Sequence, residues 1–129
     1  MAEIKSVRLS AAAGPPNVEI TIGHAQFGKY ELSLFDTDGR NPVVVGSGLS
    51  HDKLPDNFQI DGNPQALNGR FLSWSANIIP AGNESNARFS LTINVRQNNR
   101  DVAGSPITSQ GPLPGPHADF GFVKLEVGA

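Results

Sequence analysis

Hydrophobic and polar residues alternate without a break between positions 88 and 97, which is the clearest pattern in the chain. The hydrophobic positions are Phe89, Leu91, Ile93 and Val95, and the polar positions between them are Ser90, Thr92, Asn94 and Arg96. A two-residue period is typical of a β-strand with one face in a hydrophobic core and the other in water. Because the segment is long and rich in β-branched residues, we predict that it is a central strand of an antiparallel β-domain.

Shorter segments along the rest of the chain show hydrophobic patterns that also suit strands. They lie near residues 4–12, 18–22, 30–34, 43–45, 71–78, 107–109 and 123–127. No hydrophobic pattern of helical period extends over ten or more positions. About eight short strands predict an all-β fold, an antiparallel two-sheet β-sandwich of the Ig-like or jelly-roll type. A small closed β-barrel is the alternative.

Glycine, proline, asparagine and aspartate separate these segments and predict the turns. Residues 36–42 form a turn-rich segment between two hydrophobic runs, so residues 30–45 are predicted to be a hairpin. Asn98 and Asn99 suit a tight hairpin turn, since asparagine tolerates the left-handed region better than most residues. Gly121, between Phe120 and Phe122, is a candidate for a β-bulge.

Residues 46–69 show the least regular pattern in the chain. Glycine, proline and asparagine interrupt nearly all of this segment, and only Phe58 and Ile60 suggest a short strand. A loop of this length is unusual in a compact domain and is often functional. We therefore interpret it as a candidate recognition loop.

Length and composition limit the classes of protein. The chain of 129 residues suits one domain, 1–129, and its 38% hydrophobic and 17% charged residues fit neither a disordered nor a membrane protein. The net charge is −2 and the sequence contains no cluster of basic residues, so we expect no nucleic-acid partner. We also expect no membrane insertion, because no hydrophobic run approaches the ~20 residues that a spanning helix needs. Without a leader pattern at its start, the chain is expected to be cytoplasmic; secretion after removal of a leader is the alternative.

Three acidic residues raise the question of calcium. The sequence Asp36-Thr37-Asp38-Gly39 is similar to the start of a calcium-binding loop, and Asp61 is a further carboxylate candidate. Ser47 stands at the twelfth position, where such a loop carries glutamate. The alternative is a hairpin turn in which the two aspartates bind their own backbone. No metal site is assigned, and calcium stays a hypothesis for these three residues.

Enzymatic signals are weak. The three histidines are His24, His51 and His117, and His117-Ala118-Asp119 has the spacing of half of an iron site without a later histidine to complete it. There is no cysteine and no Gly-x-Ser-x-Gly nucleophile elbow. A small metal-dependent or hydrolytic enzyme is therefore the second alternative, with no catalytic residue assigned.

The aromatic residues divide into two groups. Trp74 lies on the inward phase of its strand and is predicted to pack in the core. Phe27, Phe35 and Phe58 lie in turns or on the outward phase, where they would suit either contact with a ligand such as a sugar or a covering role at one end of the sandwich.

These observations favour a non-enzymatic binding module. We predict that it recognises a protein or glycan partner through loops 35–42 and 46–69, because loops on rigid β-scaffolds commonly carry recognition. The candidate ligand-binding residues are Asp36, Asp38, Arg40, Asp61, Asn63 and Phe58. The alternative is a structural protein that assembles into homo-oligomers, since the outward residues of the long strands are small and uncharged and lack the lysines that discourage association.

Overall fold

A computed structural model describes residues 5–24, 26–50, 56–82 and 86–128, without the side chain of Ser50. The described part of the chain is all-β. Its ten strands are β1 (Ser6–Ser10), β2 (Asn17–Ile22), β3 (Phe27–Phe35), β4 (Val43–Ser50), β5 (Asp56–Gln59), β6 (Phe71–Ile79), β7 (Arg88–Gln97), β8 (Arg100–Asp101), β9 (Ile107–Pro112) and β10 (His117–Gly128).

The strands form two sheets in a sandwich-like arrangement. Sheet A has the order β1-β10-β6-β3-β4, and sheet B has the order β5-β2-β7-β8, with β9 also paired to β7. All pairs are antiparallel except that of β1 with β10, which is parallel. The all-β, two-sheet prediction is confirmed, but there are ten strands rather than about eight. The alternative of a closed barrel is wrong, because neither sheet closes on itself.

Strand β7 has the central position that its alternation predicts. It pairs with β2 on one side and with β8 and β9 on the other. Its alternate residues, from Phe89 to Val95, are buried against the inner face of sheet A. Burial of each large side chain contributes roughly 1.5–3 kcal/mol, so this alternation is a main source of stability.

Residues 46–69 do not form one long loop, and this part of the prediction is wrong. Strand β4 continues to Ser50, β5 covers Asp56–Gln59, and Pro64–Leu67 form a short 3₁₀ helix whose N-terminus is capped by the side chain of Asn63. The inward positions Gly46 and Gly48 of β4 have no side chains of their own. A Cβ at Gly46 would lie 2.2 Å from the ring of Phe58, and one at Gly48 would lie 2.7 Å from the hydroxyl of Tyr30. Side chains from β5 and β3 therefore complete the core beneath β4.

Trp74 is buried, as its phase on β6 predicts, and Gly121 explains how it fits. A Cβ at Gly121 would lie 2.6 Å from the indole ring, so the ring covers the bare backbone of β10. The register of β10 with β6 is regular through Gly121, so the predicted bulge is wrong. The irregularity in sheet A lies instead between β3 and β4, at Leu32 and Ser33.

The predicted hairpins are both present. Strands β3 and β4 pair across the turn at residues 36–42, and β7 and β8 pair across Asn98 and Asn99, which both have positive φ. Next to the second hairpin the buried side chain of Gln97 binds three backbone groups. It accepts from Ser10 N at 2.8 Å and donates to Ser10 O and Gly14 O at 3.1 and 3.0 Å. Gln97 thus joins sheet B to the end of β1.

Candidate functional site

The outer faces of the two sheets differ in polarity. In the described part of the chain, all seven large hydrophobic residues that are exposed belong to strands of sheet A: Phe27, Val43, Val44, Leu49, Ile79, Phe120 and Phe122. Phe120 and Phe122 are the most exposed aromatics, at 78% and 51%. The outward positions of β2 and β7 in sheet B are instead occupied by residues such as Thr21 and Thr92. Six of the seven have the outward phase, since Val43 stands opposite the buried Leu34. This concentration of exposed hydrophobic side chains on one sheet marks its outer face as the candidate interaction surface.

An aromatic groove lies at one end of this face, with a volume of about 460 Å³. Three strands build it. Phe35 on β3 stands opposite Phe71 on β6, and Phe122 lies diagonally across from Phe71 on β10. The rings of Phe71 and Phe122 meet edge to face with centroids 5.8 Å apart. Thr37, Asp38, Gly39 and Ser73 complete the lining.

The β3–β4 turn forms the polar rim of the groove. The carboxylate of Asp36 accepts from Arg40 N at 2.9 Å, from Asp38 N at 3.3 Å and from Asn41 Nδ2 at 2.7 Å. Asp36 N donates to Arg40 O at 2.9 Å, which closes the base of the turn. The carboxylate of Asp36 thus binds groups of its own turn.

The two aspartates of this turn share a hydrogen bond, which moves their pKa values apart. The bond from the Asp38 side chain, together with those from the backbone of Arg40 and the side chain of Asn41, lowers the pKa of Asp36 to about 2. The same bond raises the pKa of Asp38. Arg40 approaches Asp38 at 3.9 Å, and both side chains are exposed, so this ion pair adds little.

The other candidate ligand-binding residues lie elsewhere. Phe58 is packed against the core, edge to face with Tyr30 at 6.1 Å, and so supports β4 from within. Asp61 accepts from the side chain of Gln59 at 3.1 Å, and Asn63 caps the 3₁₀ helix. Among the described residues no three His, Asp or Glu side chains group closely enough to hold a metal ion, so Asp36, Asp38 and Asp61 do not converge.

The histidine candidates show no catalytic arrangement in the described ranges. The ring of His117 stacks on Phe89 with centroids 4.5 Å apart, and its Nε2 lies 4.0 Å from Asp119 Oδ2. That oxygen is buried without a hydrogen-bond partner among the described atoms. His24 occupies a turn with positive φ, and His51 lies outside the described residues.

Two residues of the aromatic groove, Phe71 and Phe122, were absent from the sequence-based candidates. The sequence does indicate that both point outward, because each stands next to an inward residue of its own strand. The alternation shows that they face outward but not that β10 and β6 are neighbours. The groove therefore follows from the register of the sheet.

Comparison with known proteins adds information about the fold. No family model matches the chain, and no curated protein matches it. A solved structure of a domain of unknown function, DUF4425 from Bacteroides vulgatus, is similar with a TM-score of 0.50 and 12% sequence identity. The alignment covers 86% of this chain and 94% of that one. In the part of the chain that the structure describes, no helix is long and hydrophobic enough to cross a membrane.

Proposed function

We propose that this protein is a non-enzymatic binding module that recognises a partner protein through the outer face of sheet A. The observation that carries the proposal is the aromatic groove of Phe35, Phe71 and Phe122 within a face that holds six of the seven exposed large hydrophobic residues of the described chain. Solvent-exposed aromatic residues around a groove are typical anchor sites for the side chains of a partner. The β3–β4 turn, one of the two predicted recognition segments, contributes the rim.

A protein partner suits this groove better than a glycan. Sugars need several free hydrogen-bonding groups beside the aromatic rings that they stack on. Of the three polar side chains that line this groove, the hydroxyl of Ser73 donates to Gly121 O at 3.1 Å, and only Thr37 and Asp38 remain beside the rings. Three phenylalanine rings surrounded by few available polar groups favour a hydrophobic side chain such as leucine or phenylalanine. Thr37 and Asp38 at the rim would then contact the backbone of the partner.

Selection of peptides from a random displayed library against the folded protein tests the proposal. We expect the selected peptides to carry a hydrophobic anchor and to lose at least about tenfold in affinity for Phe122→Ala, because a buried aromatic anchor contributes about 2 kcal/mol or more. Thr92→Ala on the outer face of sheet B is the matched control and should bind like the unmodified protein. A glycan array should give no binding.

Two results would contradict the proposal. One is selected peptides that bind Phe122→Ala as tightly as the unmodified protein. The other is specific binding on the glycan array that Phe122→Ala abolishes, which would assign the groove to a carbohydrate. Circular dichroism and thermal unfolding of both variants establish that each retains the fold, as expected for substitutions at outward positions.

A further inference from the structure

Strand β4 forms an open edge of sheet A. It pairs with β3 on one side, and no backbone hydrogen bond joins its other side to any described residue. Every second residue of an edge strand directs its N–H and C=O groups away from the sheet. Beyond the bulge at Val45, residues 46–50 thus present a row of backbone donors and acceptors that a further strand can extend.

Apart from the bulge at Val45, where the register with β3 shifts, this edge lacks the features that usually prevent strands from pairing. The segment Val43–Ser50 contains no charged residue and no proline. Its side chains Val43, Val44 and Leu49 are 60%, 56% and 71% exposed. Natural edge strands usually carry lysine, proline or a covering element instead. An apolar, uncharged edge of this length favours association.

The other edges of the two sheets are protected. Strand β1 carries Arg8, whose backbone N–H is already bound to Ala103 O at 2.9 Å. Strand β5 has only four residues and includes Asp56, and β9 ends at Pro112. The contrast singles out β4 as the edge that is available for pairing.

We propose that β4 pairs antiparallel with β4 of a second copy of this chain, so that sheet A continues across a twofold axis. The second copy is the partner that fits, because an antiparallel homodimer places the strand against itself and an uncharged strand brings no like charges together. With Ser47 opposite Ser47 of the other copy, Gly46 stands opposite Gly48 of that copy, in the part of the strand beyond the bulge. The two aromatic grooves then lie on the same side of one continuous sheet.

Sedimentation equilibrium of the unmodified protein and of charged edge variants tests the pairing. We expect the unmodified protein to dimerise reversibly, and Ser47→Lys or Ser47→Glu alone to weaken the association constant at least about tenfold, because like charges then meet at the axis. An equimolar mixture of Ser47→Lys and Ser47→Glu should recover the dimer. Ser75→Lys is the matched control, because it places the same charge at an exposed position of β6, away from the edge.

Each contrary result overturns the pairing. The proposal is wrong if the unmodified protein stays monomeric at every concentration, if Ser47→Lys leaves the dimer unchanged, or if the mixture stays monomeric. A dimer that only Ser75→Lys disrupts would show stacking of the sheet faces instead. Pairing of β4 is independent of the aromatic groove, and Phe122→Ala should therefore leave the dimer intact. Failure of the pairing can thus be distinguished from failure of partner binding at the groove.

Discussion

Replacement of Gly46 by alanine tests how the core beneath β4 is completed. The new Cβ would lie 2.2, 2.4 and 2.6 Å from three carbon atoms of the Phe58 ring. Carbon atoms in good contact stand about 3.5–4.0 Å apart, so the ring or the strand must move by more than about 1 Å. Phe58 also meets Tyr30 edge to face, which limits the directions in which it can move.

The expected loss of stability follows from two opposing effects. Overpacking of a filled core costs typically about 1–3 kcal/mol. Replacing glycine by alanine stabilises by about 0.4–1 kcal/mol through the unfolded chain, where the backbone conformation is compatible with alanine. We therefore expect Gly46→Ala to lower the free energy of unfolding by about 1–2 kcal/mol.

Urea unfolding, followed by tryptophan fluorescence, measures this change. The matched control is Gly115→Ala, whose Cβ would meet no atom within 4 Å, so it should be neutral or slightly stabilising. In a Phe58→Ala background the space above Gly46 is empty, and Gly46→Ala should then cost less than about 0.5 kcal/mol. The reasoning is refuted if Gly46→Ala is as harmless as the control, or if its cost is the same with and without the Phe58 ring.

Three further predictions concern polar groups. Gln97→Leu should lower the free energy of unfolding by about 2–3 kcal/mol, measured by urea unfolding, because it leaves three backbone groups without their partner. A loss no larger than that of the exposed control Gln110→Leu would contradict this prediction. Burial, with the hydrogen bond to Asp56, raises the pKa of Tyr30, so the phenol contributes stability below its ordinary pKa of 10.0 that is lost as the pH rises above that value. Ultraviolet titration should show no phenolate in the folded protein near pH 10.0, and its appearance there without unfolding would be the contrary result. Carbon NMR of the carboxyl groups should show Asp36 titrating near 2 and Asp38 above its ordinary value. The contribution of the Asp36 carboxylate to stability is present above its ordinary pKa of 3.8 and lost as the pH falls towards 2, whereas the raised pKa of Asp38 contributes stability at low pH that is lost as the pH rises. Equal pKa values for the two groups would exclude the shared hydrogen bond.

Hydrophobic alternation predicts those strands that fill their part of the core with their own side chains. Strand β7 is the clearest case, because every second residue from Phe89 to Val95 is hydrophobic and buried. The inward phase of Trp74 was predictable for the same reason. Burial of one face determines the phase of a strand, and the sequence records that phase directly.

Strand β4 and the aromatic groove could not be predicted in this way. The inward positions Gly46 and Gly48 are glycines because side chains from other strands fill the core space beneath them. The sequence of β4 therefore lacks the two-residue hydrophobic pattern, although the segment is a strand. Phe122 and Phe71 become neighbours only through the pairing of β10 with β6. Single-sequence patterns describe each strand alone, whereas the groove depends on which strands are adjacent.

The parallel pair of β1 with β10 has a consequence for how the protein folds during synthesis. Strand β10 lies between β1 and β6, so β1 has no neighbour in its own sheet until β10 has been made. Val7 and Leu9 would lack their strand partners Leu125 and Val127 until β10 has been synthesised. Contacts between residues so distant in sequence form slowly, because a long loop must close first. The emerging polypeptide should therefore keep this sheet incomplete until β10 has left the ribosome.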